Sequence, residues 1–515
     1  MNANFKPLGL AAAVATATAG YAGYANAQAS YASASELGDL AIVPYYTVME
    51  GYSTGVNIIN TANETQVIKF RFRRATDSMD ALDFSVVLSP YDMYTGFITM
   101  AGDDIVWRSN DNSCTAPALD ANGEFVMPDI YREDAETGYI EIISMGSPVD
   151  ENQAIAVAAK HGADGVPADC LAVEDNFFAN DSGNTNARGV INSATTVGAD
   201  IRTDNRDLAI STYEAAPDSL KVSYFIKSDA TGTEFGDNAV HVADFIATPA
   251  MTNQQKGIFS ADLQGFDYPD LNGGSPLDAV SGVGASRGAF NGLRSILSAP
   301  ELINDWSANV RGDFSVDTDW VVTFPGQYVM LNLGEYIPRT VYGAGLENEC
   351  LRVGEIPSNP DGDNVANCDY RDIPAEAVIT VFDREEQGIV IEDGELVVSP
   401  QPPIIIETLT FDHEVNVIQW GSEPVLNAPV AISGLEVPAG ASFGWANVMT
   451  TSAANNDMLC DWDLTTTPVS YACNVAAAGD DAPIVGFVSW QRNFGANPDA
   501  NYGRIVEHSR IQSAS

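Results

Sequence analysis

The chain has 515 residues, 45% apolar and 9% aromatic, a globular composition that excludes wholesale disorder. Asp and Glu number 70 against 24 Lys and Arg, a formal net charge of −46. A surface of that sign repels phosphate backbones and anionic lipid, which disfavours binding to nucleic acid or membrane surfaces and favours water, cations and bridging divalent ions.

The first element in chain order is a leader. Lys6 precedes an uncharged Ala- and Gly-rich stretch from Leu8 to Ala25, and both Ala25-Asn26-Ala27 and Ala27-Gln28-Ala29 have the small-x-small pattern of signal cleavage. Residues 1–29 are therefore expected to be a signal peptide and the mature chain to be exported. No later stretch is apolar for long enough to cross a bilayer as a helix, so no transmembrane segment is expected.

Strand patterns then dominate. Leu40 to Val48 and Gly55 to Asn60 lead into Gln66 to Arg74, where Ile68, Phe70 and Phe72 alternate with Lys69, Arg71 and Arg73. Leu82 to Leu88 repeats the alternation and is expected to pair antiparallel with it, Asp83 lying near the basic stripe. That stripe, ending in Arg74, reads as exposed cross-strand ion pairing with local carboxylates, or as a contact for an acidic face of a neighbouring copy. Further strands are expected at Gly138 to Ser144, Leu208 to Thr212, Leu220 to Lys227, Trp320 to Phe324, Val378 to Phe382, Val415 to Trp420 and Ile484 to Trp490. Glu151 to His161 and Pro300 to Val310 read as helices inserted between strands.

These patterns predict an all-β chain of antiparallel β-sandwich domains, immunoglobulin-like or jelly-roll-like, with a few short helical insertions. An N-terminal sandwich is expected over 30–264, a linker with helical insertion over 265–310, and a C-terminal β-rich domain over 311–515. No fixed-period internal repeat is evident. The six cysteines fall into three couples along the chain, predicting the bridges Cys114–Cys170, Cys350–Cys368 and Cys460–Cys473.

Candidate chemistry is sparse. Two GxSxG matches occur, Gly51 to Gly55 and Gly284 to Gly288. The first runs into a strand rather than a helix, which leaves Ser286 in the second as the hydrolase candidate, with only His161, His241, His413 and His508 to serve as base. Three Asp/Asn/Gly loops resemble pieces of calcium sites: Asp361 and Asp363 with Asp369, then Asp267, Asp270 and Asn272, then Asp120 and Asn122. Tyr91, Tyr94 and Trp107 are either core residues or the lining of a small-ligand site.

The run FRFRRATDSMDALDFSVVLSPYDMYTG (Phe70 to Gly96), with WVVTFP (Trp320 to Pro325), VFDREE (Val381 to Glu386) and HEVNVIQWG (His413 to Gly421), resembles a recurrent group of uncharacterised exported proteins of Gram-negative bacteria. The resemblance spans most of the mature chain. It implies export and kinship and carries over no functional residue. The expected function is that of a noncatalytic surface or extracellular-matrix protein. It would act through protein or glycan contacts at the cell surface or by self-association, with Ca2+ as the one candidate cofactor. A secreted serine hydrolase and a periplasmic small-ligand module are the alternatives.

Overall fold

The computed structural model describes residues 31–177, 213–247, 249, 269–271, 288–326, 375–384, 407–450, 458–463, 470–475 and 483–511, excepting 77, 79, 312, 422, 430 and 439. The protein is built of antiparallel sheets, with short helices at Ala154–Ala159, Cys170–Phe177 and Gly288–Leu297. Its alternating strands pair as their patterns require. Gln66–Arg74 lies against Asp80–Leu88 with Phe70 opposite Phe84 and Phe72 opposite Leu82. Thr137–Pro148 joins on the other side, and the sheet continues outward through Leu40–Thr47 and Val240–Ala243. A second sheet runs Glu234–Asn238, Leu220–Ser228, Tyr52–Asn60, Met93–Ala101, Asp104–Arg108, Glu124–Val126.

The two sheets enclose an aromatic core. Phe70 stacks on Phe84 at 5.0 Å, and Trp107 packs from the facing sheet at 5.0 Å from Phe70 and 5.5 Å from Phe72. The Trp107 indole N–H donates to the Tyr94 hydroxyl at 2.9 Å, which satisfies the polar end of a fully buried ring. Tyr94 and Trp107 are thus core residues, while Tyr91 is exposed. The three do not line an open ligand site.

The C-terminal half repeats ten strands of this plan, five in each layer, in the same order. Its 10-stranded sheet contains one layer ordered Ser509–Ile511, Glu301–Arg311, Phe443–Thr450, Ala375–Asp383, Glu407–Phe411. That is the order of Val240–Ala243, Leu40–Thr47, Thr137–Pro148, Gln66–Arg74 and Asp80–Leu88 in the first half. The other layer runs Tyr502–Glu507, Val485–Asn493, Phe314–Thr323, Val415–Gln419, Ala431–Ile432, matching the first five strands of the second sheet. Registers agree as well. Gly236 pairs with Phe225 and Phe225 with Gly55, as Gly503 pairs with Gln491 and Gln491 with Asp317. One departure is the last pair, parallel between Val415–Gln419 and Ala431–Ile432 but antiparallel between Met93–Ala101 and Asp104–Arg108. The core of this second module holds Trp306 stacked on Trp420 at 5.5 Å and Trp320 at 5.3 Å from Trp420.

The segment Pro300 to Val310, expected as a helix, is instead the strand Glu301–Arg311. Leu302 and Trp306 satisfy a four-residue helical spacing and a two-residue strand spacing equally, and the ladder to Phe443–Thr450 decides between them. Buried Leu302, Asn304 and Trp306 form its inner face.

The basic stripe is a second correction. Lys69, Arg71 and Arg73 do pair across strands with carboxylates, but inside the protein, each no more than 2% exposed. Lys69 Nζ lies 2.9 Å from Asp83; Arg71 bonds Asp80 through both Nε and Nη2; Arg73 reaches Asp80 at 3.2 Å and Glu141 at 3.1 Å. A roof over this outer sheet face explains the burial: Arg71 Nη1 donates to Pro269 O at 2.8 Å, and Gly326 N donates to the Tyr139 hydroxyl, itself bonded to Glu141. Farther along the same face Val67, Val87 and Met145 are covered by the helices Ala154–Ala159 and Cys170–Phe177. Buried ions of this kind tolerate loss of one partner poorly. Arg71→Met is expected to destabilise the chain by about 3–5 kcal/mol in denaturant melts, because Asp80 loses a buried counter-charge.

Candidate functional site

Among the described residues the nearest approach to catalytic chemistry lies at the end of the first sandwich, where the turn after Asp80–Leu88 meets His161, two residues beyond the helix Ala154–Ala159. His161 Nδ1 is 3.3 Å from both Asp92 Oδ2 and Ser89 Oγ. Desolvation raises the Asp92 carboxyl pKa, and the neighbouring His161 opposes that rise. A serine hydrolase needs serine on one imidazole nitrogen and carboxylate on the other, so that the ring relays a proton between them. Here both converge on one nitrogen, and Ser89 Oγ also bonds Asp92 directly at 3.3 Å. The group is a local hydrogen-bond cluster rather than a relay.

Two other histidines are structural, and they occupy equivalent positions in the two modules, each five residues beyond the matched Gly236 and Gly503. His508 accepts from Asn304 Nδ2 at 3.1 Å on Nδ1, so that Nε2 carries the proton toward Val321 O at 2.9 Å. His241 Nε2 accepts the Val222 N–H at 2.9 Å. Burial pushes both down to about 4. Neutral, enclosed imidazoles of this kind serve folding. Asp39 is a buried acid in the first module, accepting the N–H groups of Phe245 and Ile246, and burial pushes it up to about 7.

Of the residues singled out from sequence, Ser286, Asp361, Asp363, Asp369, Asp267, Asn272, Cys350 and Cys368 lie outside the described residues. Asp270 is buried, next to the Pro269 carbonyl that caps the ionic layer. Asp120 spends its carboxylate within its own turn, accepting the N–H groups of Asn122 and Glu124 at 2.8 and 2.9 Å. Among the described residues no three His, Cys, Asp or Glu side chains gather as metal ligands, and no helix is long and apolar enough to cross a membrane. Cys114 and Cys170 form a disulfide with Cα atoms 5.0 Å apart, tying the helix Cys170–Phe177 to the sheet-edge strand Cys114–Ala116. Cys460 and Cys473 sit directly opposite in the antiparallel ribbon Met458–Asp463/Ser470–Val475.

Compared with known proteins, the chain matches no family model, no curated protein and no solved structure.

The paired histidines give a pH dependence with a definite sign. Their folded pKa lies below the unfolded value of about 6.5, so their contribution is complete above pH 6.5 and is lost as pH falls toward 4. For His508 the loss is on the order of 3 kcal/mol. The melting temperature of wild type should therefore lose more between pH 6.5 and 4 than that of His508→Gln. Asp39 acts in the opposite direction over the same range and is present in both proteins, so the difference between the two curves isolates His508.

Proposed function

We propose that this chain is a noncatalytic exported protein of the cell surface or extracellular matrix, working through protein or glycan contacts, with calcium assisting its association. The Cys114–Cys170 bridge carries the reading, because structural disulfides persist in oxidising compartments outside the cytosol. It closes a loop with a sequence separation of 56 and secures a helical cover over the outer sheet face. A tie of that length is worth about 4 kcal/mol in the chain-entropy account.

Charge supports the same reading. The most conspicuous basic cluster in the sequence is neutralised inside the protein, so it offers no patch for polyanions. The remaining surplus of carboxylates suits hydration and divalent bridging in a cation-rich medium. The leader expected over 1–29 and the resemblance to exported proteins point in the same direction.

Fractionation of the native host tests it. Immunoblots of cytosol, periplasm, outer membrane, detached surface material and medium should place the leaderless form outside the cytosol, with the Cys114–Cys170 bridge oxidised on non-reducing gels. Chelator should release the surface-bound pool into the medium. Full-length protein with reduced thiols in the cytosol would defeat the proposal.

A further inference from the structure

The correspondence between the two modules isolates a place where they differ in charge. Asp319 and Asp317 pair with Ser489 and Gln491, positions that in the first module belong to Asn57 and Gly55, paired with Ser223 and Phe225. The shared fold stands with neutral residues at both places. Two carboxylates in the second module are therefore an addition to the fold and not a requirement of it.

Two residues apart on one strand, Asp317 and Asp319 share a face. It is the face turned toward the first module, since Thr323 on the same face donates to Pro44 O at 2.7 Å and Gln491, opposite Asp317, donates to Thr233 Oγ1 at 3.1 Å. Both are sealed, at 2% and 1% exposure. Asp319 Oδ2 accepts the N–H groups of Val425 and Leu426 at 2.8 and 2.9 Å. Among the described residues Asp319 Oδ1 has no hydrogen-bond partner, and Asp317 has only the hydroxyl of Ser315, two residues back on its own strand. The hydroxyl of Tyr45, a buried residue of the first module on which the Asp319 charge acts, has only the Thr47 side chain beside it. Gly421 borders Asp317, and a Cβ there would come within 2.6 Å of Asp317 Oδ1.

Enclosed carboxylates whose charge no cation balances are costly unless something neutralises them. We propose that Asp317 and Asp319 hold a calcium ion at the junction of the two modules, with the Tyr45 hydroxyl as a neutral oxygen. Two carboxylates match one divalent charge, and both oxygens of Asp317, Oδ1 of Asp319 and the Tyr45 hydroxyl would supply four of the six to eight oxygens that calcium takes. The alternative occupant is a proton: burial pushes Asp319 up to about 7 and raises Asp317, with Glu423 adding to the rise and Ser315 moderating it. This ion would be internal, distinct from any calcium bridging between molecules, and its assignment is independent of where the protein resides.

Mature protein stripped with EDTA and titrated with calcium chloride, followed by calorimetry and thermal melting, tests the site. Wild type should bind calcium and melt at higher temperature. Asp317→Asn/Asp319→Asn, which installs at 319 the amide the first module has at Asn57, should keep its circular dichroism spectrum and lose one calcium per chain. Asp120→Asn, in an exposed turn, should retain that ion. Undiminished binding in the double variant would overturn the proposal, as would undiminished binding in Asp317→Asn alone should the double variant fail to fold. So would the absence of any calcium-dependent shift in wild type. In that last case a fall in melting temperature as pH rises through about 7 that is smaller in Asp319→Asn than in wild type, Asp39 being common to both, would identify the proton as occupant.

Discussion

The structure turns on a sheet that is covered on both faces. Every residue of Thr137–Pro148 and of Asp80–Leu88 is buried, although antiparallel strands with polar alternation commonly leave one face to water. Once the outer face is roofed, its alternate positions must be either apolar or matched in charge. Both solutions occur on the same face. Val67, Val87 and Met145 lie under two helices, and Lys69, Arg71 and Arg73 interlock with Asp80, Asp83 and Glu141 under the Pro269 segment. The Cys114–Cys170 bridge fastens the apolar part of the roof to the sheet edge.

This arrangement explains how much the sequence could reveal. Alternation at Gln66–Arg74 identifies a strand and its inner face, and proximity in sequence makes Asp83 a partner for Lys69. Nothing in a period of two distinguishes a polar face that meets water from one that meets a roof, because the covering residues, Pro269 to Leu271, come from about two hundred positions away. The spacing of Leu302 and Trp306 is ambiguous for a related reason: the tie is broken by pairing with Phe443–Thr450, distant in the chain. The couple Cys114–Cys170 was legible because it closes a loop within one sandwich. The Asp317, Asp319 and Tyr45 group was not, since neither acid belongs to a recognisable loop motif and the tyrosine comes from the other module.

The duplicated plan escaped sequence reading because the inserts between matching strands differ in length, which destroys any fixed period. What survives is local. Val222-Ser223-Tyr224 answers Val488-Ser489-Trp490; Phe235-Gly236 answers Tyr502-Gly503, with His241 and His508 five residues beyond each glycine. The matched elements are those that the ladder and the core constrain jointly. Gly503 illustrates the constraint at the junction, where a Cβ would lie 2.5 Å from the ring of Phe235, on the strand equivalent to its own.

Two strongly acidic modules held side by side must resist mutual repulsion, and among the described residues no ion pair crosses their junction. Tyr52 donates to Val425 O, Thr323 to Pro44 O, Gln491 to Thr233, and Val415 N to Ala75 O, all neutral hydrogen bonds beside a continuous apolar cluster. Salt screening weakens exposed charge pairs but leaves such contacts nearly untouched. Because the buried ionic layer cancels three cations against three carboxylates, it adds no net charge to the exposed carboxylates of the outer surfaces. Added salt then acts chiefly by screening repulsion between those outer surfaces, so ionic strength should change how copies approach one another far more than how the two modules hold together.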